Sequence, residues 1–275
     1  MSLGGIMANR DFALVTGASS GIGLELARMF ARNRFDLIVN SNSERLEDAT
    51  AELRQLGVEV MAVTADQSTY EGVEQLWHAV EQNGRPLAAA AINAGVGVYG
   101  DFARESSLRE ELRLIDLNVK GTVHLAKRIL AHMTARNQGK VLLTSSIAGS
   151  IPAPLEAVYG ASKAFLLSFG QSLRNELKDT DVSVSVLQPG PTATDFFRRA
   201  GMEHTKVGSE GKFDNDPAEV AEQGFHALME GKDHVFAESI KTKIEGVMSK
   251  VVPTTTAAGM HRKQAEPQRK GKKTA

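Results

Sequence analysis

Cysteine is absent from the 275-residue sequence, which excludes disulfides, cysteine-ligated zinc, iron–sulfur clusters and thiol nucleophiles. Apolar runs long enough for a membrane-spanning helix are also lacking. Neither sign of charge dominates, since 32 Lys and Arg residues face 33 Asp and Glu residues. The 7 histidines show no spacing typical of a metal site, so we expect no metal. These absences favour a cytoplasmic globular protein that neither binds nucleic acid nor spans a membrane.

The two ends of the chain differ in composition from the rest. Residues 1–9 lack the basic region and long apolar stretch of a secretory signal, and we expect them to be a tag or disordered. The segment His261–Ala275 has a net charge of +5. We therefore expect a flexible basic tail over 253–275, although Lys243–Arg262 has apolar residues at helical spacing. Binding of this tail to RNA or a membrane surface is the less favoured alternative.

Short apolar runs alternate with amphipathic stretches along the chain, and several runs are apolar almost throughout, which is typical of strands buried on both faces of a parallel sheet. The predicted strands are Phe12–Thr16, Asp36–Asn40, Val58–Val63, Ala88–Ile92, Lys140–Ser145, Val182–Leu187 and His234–Ala237. Longer helices are predicted at about Leu108–Thr134 and Tyr159–Lys178. The order predicts an α/β fold: a doubly wound, seven-stranded, mostly parallel sheet with helices on both faces. We expect one domain over 10–252, with an irregular substrate loop at about 196–216.

A glycine-rich segment follows the first strand directly. It reads Thr16-Gly17-Ala18-Ser19-Ser20-Gly21-Ile22-Gly23, and a helix begins inside it. A diphosphate needs backbone N–H groups that point at it and room for a close approach, and glycines at the N-terminus of a helix provide both. Glycines alone are weak evidence, since an ordinary βα turn also uses them.

A tyrosine and a lysine are spaced for acid–base chemistry. Tyr159 and Lys163 stand at i and i+4, so both side chains lie on one helical face. We expect the ammonium to lower the pKa of the phenol, which is otherwise too high for a base at neutral pH. Ser146 lies 13 residues before Tyr159, at the carboxyl end of a predicted strand, where open α/β sheets bind ligands.

Together these motifs resemble the short-chain dehydrogenase/reductase family, in its compact single-domain branch, over about residues 10–250. The resemblance implies a Rossmann fold and an NAD(P)-dependent oxidoreductase that transfers a hydride between the cofactor and an alcohol/carbonyl substrate. It implies the catalytic residues Asn118, Ser146, Tyr159 and Lys163, with a one-residue ambiguity between Ser145 and Ser146. It also implies the cofactor-binding residues Gly17, Ser19, Ser20, Gly21, Ile22, Gly23, Asn40, Ser41, Asp66, Asn93, Ala94, Gly95, Tyr159, Lys163, Pro189, Gly190, Thr192 and Thr194.

The choice of nicotinamide cofactor depends on the segment after the second strand. In the family an acid there binds the ribose 2′-hydroxyl and a base binds a 2′-phosphate. Asn40 and Ser41 occupy these positions, so neither decisive residue is present. A carboxylate that would repel the phosphate is missing, and Arg45 is near. The sequence favours NADP(H), with NAD(H) possible.

The substrate and the assembly state are the least determined by the sequence. Apolar residues in the loops over the strand ends indicate an apolar pocket for a small alcohol or carbonyl compound: Ile151, Pro152, Leu155, Phe196, Phe197 and Met202. The family resemblance implies a homodimer or homotetramer through the two long helices. A dinucleotide-binding redox sensor without turnover is the alternative, and the intact set of four catalytic residues argues against it.

Overall fold

The computed structural model describes residues 10–209, 215–237 and 253–267. Within them, one sheet contains the strands β1 (Phe12–Thr16), β2 (Asp36–Ser41), β3 (Val60–Thr64), β4 (Leu87–Ile92), β5 (Gly139–Thr144), β6 (Val182–Pro189) and β7 (His234–Ala237). Their order is β3-β2-β1-β4-β5-β6-β7, and every neighbouring pair is parallel. The predicted doubly wound, seven-stranded sheet is confirmed.

Helices connect the strands across both faces of the sheet. Their bounds are Gly21–Arg32 (α1), Leu46–Arg54 (α2), Tyr70–Gln82 (α3), Leu108–Ile115 (α4), Thr122–Thr134 (α5), Ala157–Glu176 (α6), Phe196–Arg199 (α7), Lys206–Ser209 (α8), Pro217–Met229 (α9) and Thr254–Ala265 (α10). The helix predicted from Tyr159 is α6, which begins two residues earlier. The predicted irregular substrate loop contains the short helices α7 and α8, and its residues 210–214 lie outside the description.

Two apolar cores lie on opposite sides of the sheet. On one side α1, α2 and α9 pack on the strands, where the rings of Phe30 and Phe225 meet edge to face with centroids 5.1 Å apart. On the other side α3 and α5 bury Trp77 and Ile129. A strand covered on both faces can be apolar at every position, which is why β1 is buried throughout.

The direction of winding reverses between β1 and β4, which are neighbours in the sheet although β2 and β3 intervene in the chain. Connections from these two strands leave on opposite faces, so a crevice opens at their carboxyl ends. Open α/β sheets bind their ligands at this point.

The helix predicted at Leu108–Thr134 differs in one respect. A π-helical segment, Asp116–Gly121, separates α4 from α5. Side-chain periodicity does not reveal such a segment, because apolar residues continue at near-helical spacing on both sides of it. Segments of this kind occur frequently at functional sites, and this one contains Asn118.

The flexible tail expected from residue 253 is wrong for its first part, since Thr254–Ala265 forms α10. The helix docks through buried Ala257 and Ala265, and the Tyr99 hydroxyl donates to the carbonyl oxygen of Ala265 at 2.8 Å. The helical spacing noted in Lys243–Arg262 overlaps this helix, but it did not show where the helix docks, because the buried face consists of small residues. The expectations for residues 1–9, 238–252 and 268–275 fall on parts of the chain outside the description.

Candidate active site

A cavity of about 330 Å³ opens at the carboxyl ends of β1, β4, β5 and β6. Every residue predicted to bind the cofactor lines it, as do Ser146, Tyr159 and Lys163. Asn118 is the exception, since it is fully buried behind the wall. The fold thus brings residues from positions 17 to 194 into one continuous site.

The glycine-rich turn at one end of the cavity requires its glycines. Gly17 and Gly21 have φ angles of 67° and 57°, in the left-handed region that favours glycine. A Cβ on Gly17 would lie 3.0 Å from the Cα of Ala94, and one on Gly23 would overlap the carbonyl oxygen of Gly17. The turn therefore lies tight against its neighbours, and the N-terminus of α1 faces the cavity.

Asn40 and Ser41, at the predicted cofactor-selecting position, are engaged in hydrogen bonds. The Asn40 amide donates to the carbonyl oxygens of Val63 and Ala65 at 2.8 and 3.1 Å, and its own oxygen accepts from Gln67 at 2.5 Å. The Ser41 and Ser19 hydroxyl oxygens are 3.0 Å apart. Asn40 thus acts as a buried structural amide, and the cavity contains no carboxylate at this position.

Two cationic side chains lie near this end of the groove. The Arg45 guanidinium pairs with the Asp195 carboxylate at 2.5 Å, which joins the loop after β2 to the start of α7. Arg199 lines the cavity itself, and its pKa is lowered by burial. No salt bridge to Arg199 is found among the described residues. Sequence reasoning missed Arg199, because its approach depends on the fold of the loop after β6.

Asp66, Asn93 and Ala94 follow β3 and β4 and lie at the cavity wall. The Asp66 carboxylate accepts hydrogen bonds from the Ser68 backbone N–H and hydroxyl at 2.9 and 2.7 Å. The backbone N–H groups of Asn93 and Ala94 both donate to the Thr16 hydroxyl oxygen at 3.0 Å. These bonds fix the turn after β4 against the glycine-rich turn.

The structure distinguishes the two serines after β5. The Ser145 hydroxyl donates to the carbonyl oxygen of Lys163 at 2.6 Å, a bond that holds α6 in place. The Ser146 side chain lies close enough to the phenol of Tyr159 to lower its pKa. The Ser146 hydroxyl donates to the Pro189 carbonyl oxygen at 3.5 Å and accepts the Ala148 N–H at 3.2 Å. Ser146 is therefore the serine whose hydroxyl meets the tyrosine.

Tyr159 and Lys163 lie on one face of α6. The Lys163 Nζ atom is 5.7 Å from the centre of the Tyr159 ring and donates to the carbonyl oxygen of Thr144 at 2.9 Å. Burial lowers the pKa of Lys163 from 10.5 to about 8. Burial raises the pKa of Tyr159, and the Glu156 carboxylate raises it further, whereas the bond with Ser146 lowers it.

The net lowering of the Tyr159 pKa that the sequence predicts is therefore not found, because burial raises this pKa. Sequence spacing identified a neighbouring ammonium but took no account of the desolvation of both groups, which disfavours a buried phenolate. Tyr159 is consequently protonated at neutral pH, with a proton ready to donate.

Asn118 is held behind Tyr159 and Lys163 by the π-helical segment. Its side chain accepts from the Val96 N–H at 3.0 Å and donates to the Val96 carbonyl oxygen at 2.9 Å. A Cβ on Gly95 would lie 3.2 Å from Asn118 Oδ1 and 3.3 Å from Lys163 Nζ. The backbone at Gly95 thus passes between the amide and the ammonium.

The loop after β6 forms a further part of the cavity wall. The Thr192 hydroxyl donates to the Gly190 carbonyl oxygen at 2.8 Å. A Cβ on Gly21 would lie 3.0 Å from the methyl group of Thr194. Thr194 therefore lies against the glycine-rich turn, and Pro189, Gly190 and Thr192 line the same cavity.

The substrate end of the cavity contains three of the six apolar residues predicted for it. Ile151, Phe196 and Phe197 line it, but Pro152, Leu155 and Met202 do not. Met202 is fully buried in a separate apolar cluster. Glu156, His261 and Gln264 line the cavity as well, and sequence reasoning missed all three. The histidine and glutamine stand on α10, in a segment that was expected to be flexible.

Neither a metal site nor a membrane span is found in the described residues. No group of three His, Asp or Glu side chains in residues 10–209, 215–237 and 253–267 is arranged to hold a metal ion. None of the helices in the same ranges is long and apolar enough to cross a membrane.

Comparison with known proteins gives consistent matches. Residues 11–204 match the protein family described as short chain dehydrogenase. NADP-dependent 3-hydroxy acid dehydrogenase YdfG of Salmonella typhi is 32% identical over 177 residues, which cover 64% of this chain and 71% of the relative. Glucose 1-dehydrogenase 2 of Bacillus subtilis is 33% identical over 186 residues, which cover 66% and 72%. A solved short-chain dehydrogenase from Sphingobium yanoikuyae in complex with NADPH superimposes with a TM-score of 0.75 at 28% identity, covering 82% and 86% of the two chains.

Proposed function

The chain belongs to the short-chain dehydrogenase/reductase family, and we propose that it transfers a hydride between NADP(H) and an alcohol/carbonyl pair, with Tyr159 as the proton donor or acceptor. One observation carries the proposal: Ser146, Tyr159 and Lys163 line the same cavity as the glycine-rich turn. A dinucleotide bound at the turn would extend toward the three side chains.

The residues around the turn fit a dinucleotide. A Cβ on Gly17 or Gly23 would clash with the backbone nearby, and the left-handed turn at Gly21 leads directly into α1. Backbone N–H groups at a helix N-terminus bind phosphate through both hydrogen bonds and the helix dipole. When bound, the nicotinamide supplies or accepts the hydride.

The proton transfer would involve the side chains of Ser146, Tyr159 and Lys163. Ser146 would donate a hydrogen bond to the substrate oxygen as negative charge develops there. Tyr159 would give its hydroxyl proton to that oxygen during reduction. The Lys163 ammonium would stabilise the resulting phenolate.

NADP(H) is the favoured cofactor. An NAD(H) site uses a carboxylate at the end of β2, and Asn40 stands there instead. A 2′-phosphate would meet the hydroxyls of Ser19 and Ser41, with Arg45 and Arg199 supplying positive charge nearby. The NADP-dependent relative and the NADPH-bound neighbour support the same preference.

The proposed function is tested by NADPH and NADH binding and by their oxidation against a panel of aldehydes and ketones. Wild-type protein is compared with Tyr159→Phe and with the matched control Tyr70→Phe, since Tyr70 is exposed on α3. We expect Tyr159→Phe to lower the rate at least about 100-fold while NADPH still binds. Equal rates in wild type and Tyr159→Phe would contradict the assignment.

We also propose that the protein is a homodimer or homotetramer. Leu108 and Leu112 on α4 and Phe165 on α6 are large apolar side chains that remain exposed. An exposed apolar face on two adjacent helices marks an interaction surface. Light scattering should give a multiple of the 29.6 kDa chain mass; a monomeric mass would exclude this assembly.

A further inference from the structure

A buried acid–base pair joins α10 to the start of the catalytic helix. The His261 Nε2 atom lies 3.2 Å from Glu156 Oε2, and the two side chains are 12% and 7% exposed. Glu156 immediately precedes α6 and Tyr159 follows three residues later. The pair therefore borders the catalytic tyrosine and lines the same cavity.

The proposed hydride transfer does not use this pair. The proton path consists of Ser146, Tyr159 and Lys163, and neither Glu156 nor His261 replaces one of them. Stability is a weak reason for the pair, because a buried carboxylate carries a desolvation cost that its partner offsets only in part. Glu156 even raises the pKa of the catalytic phenol. The pair carries a desolvation cost and raises the pKa of the catalytic phenol, yet it lines the cavity. We therefore expect it to bind the ligand.

The surroundings of the pair define what the ligand can be. Phe196 lies against Tyr159 with ring centroids 5.2 Å apart, and Ile151 and Met260 add further apolar wall. The wall therefore suits a largely apolar substrate, with polar contacts at Glu156 and His261 and at Gln264 one turn further along α10. A carboxylate accepts hydrogen bonds and repels anions, so the ligand group that meets it is a donor and carries no negative charge.

We infer that Glu156 and His261 bind a hydroxyl group of the substrate close to its reacting carbonyl, so that the substrate class is the hydroxy-carbonyl compounds and the corresponding diols. The hydroxyl donates to the Glu156 carboxylate, and His261 holds that carboxylate in place from α10. Glu156 stands at the N-terminus of α6, three residues before Tyr159, and both side chains line the cavity, so the bound hydroxyl lies at the end of the cavity that contains Tyr159. This inference rests on the proposed function and narrows its substrate class.

The test compares two probes of nearly equal shape, cyclohexanone and 2-hydroxycyclohexanone, with NADPH as the reductant. We expect wild-type protein to favour the hydroxylated probe in kcat/KM by at least about tenfold, because a hydrogen bond to a charged group discriminates by that amount. In Glu156→Leu and His261→Leu the ratio should fall toward one, mainly through a raised KM for 2-hydroxycyclohexanone. Glu156→Gln, which keeps an acceptor oxygen, should retain part of the preference.

Lys263→Ala is the matched control, because Lys263 is exposed on the same helix and does not line the cavity; its ratio should equal that of wild type. A wild-type ratio of one or less overturns the inference. It is also overturned if Glu156→Leu lowers kcat/KM for both probes in equal proportion, because that result indicates a structural role for Glu156. A third contradicting result is reduction of other carbonyls in the panel without reduction of either probe. The proposed function survives each of these results; it fails only if no carbonyl is reduced at all, which removes the inference with it.

Discussion

The ammonium of Lys163 lies 5.7 Å from the centre of the Tyr159 ring and bonds the backbone carbonyl oxygen of Thr144 at 2.9 Å. No carboxylate of the described residues forms an ion pair with it. Lys163 is therefore a buried cation that costs the fold stability. Under the proposed function it serves the chemistry of Tyr159, and both consequences can be measured.

Lys163→Met should inactivate the protein and stabilise it. Lowering of the Lys163 pKa from 10.5 to about 8 corresponds to about 3 kcal/mol against the charged form in the fold. Methionine fills similar space without that cost. After loss of the bond to Thr144, we expect a gain of about 1–2 kcal/mol near neutral pH, measured by denaturant unfolding.

The pH dependence of this gain provides its control. Below the folded pKa of about 8 the cost of the charge is fully present in wild type. As the pH rises toward the unfolded value of 10.5, the wild-type amine becomes neutral in both states and the cost disappears. The stability difference should therefore shrink at alkaline pH. A variant less stable than wild type at neutral pH contradicts the account.

Reduction should slow above a pH of about 8. Lys163 loses its charge there, and a neutral amine stabilises the Tyr159 phenolate poorly. The measurement is kcat/KM against pH with saturating NADPH. Lys163→Arg stays charged throughout, so its residual activity should not decline at that pH. A wild-type profile that stays flat to strongly alkaline pH would show that Lys163 does not control the rate.

Asn40→Asp should shift the preference away from NADPH. The new carboxylate would face the 2′-phosphate and also the carbonyl oxygens of Val63 and Ala65, which now accept from the Asn40 amide. We expect the ratio of the NADPH and NADH dissociation constants to rise at least about tenfold. Ser43→Asp adds the same charge outside the cavity and should leave the ratio near that of wild type. An unchanged ratio in Asn40→Asp would place the 2′-phosphate elsewhere.

Gly23→Ala should abolish dinucleotide binding and destabilise the fold. Its Cβ would overlap the carbonyl oxygen of Gly17, so the turn must move. Gly259→Ala on α10 meets no atom within 4 Å and should be neutral or stabilising by about 0.5–1 kcal/mol. Thermal unfolding and NADPH titration of both variants test these expectations. Tight NADPH binding by Gly23→Ala would contradict the assignment of the glycine-rich turn to dinucleotide binding.

Features that depend on nearby residues could be predicted from the sequence. The strands follow from uninterrupted apolar runs, and the glycine turn from its place between β1 and α1. Tyr159 and Lys163 are one helical turn apart, so their common face follows from helix geometry alone. These local relationships specify the sheet and most of the cavity wall.

Features that depend on distant residues could not be predicted in this way. Glu156 and His261 are 105 residues apart, and their contact exists only because α10 docks over the cavity. The pKa of Tyr159 depends on the total burial of the phenol, which the spacing to Lys163 does not reveal. The π-helical segment at Asn118 changes the hydrogen-bond pattern without changing the apolar periodicity.

The most direct test of the central claim follows the hydride itself. NADPH deuterated at C4 of the nicotinamide, on either face, is incubated with a carbonyl that the wild-type protein reduces, and the alcohol is examined by mass spectrometry. The account predicts deuterium on the carbinol carbon from one face only, and no product above background from Tyr159→Phe although that variant still binds NADPH. An alcohol without deuterium from either face, or equal product from Tyr159→Phe, would contradict it.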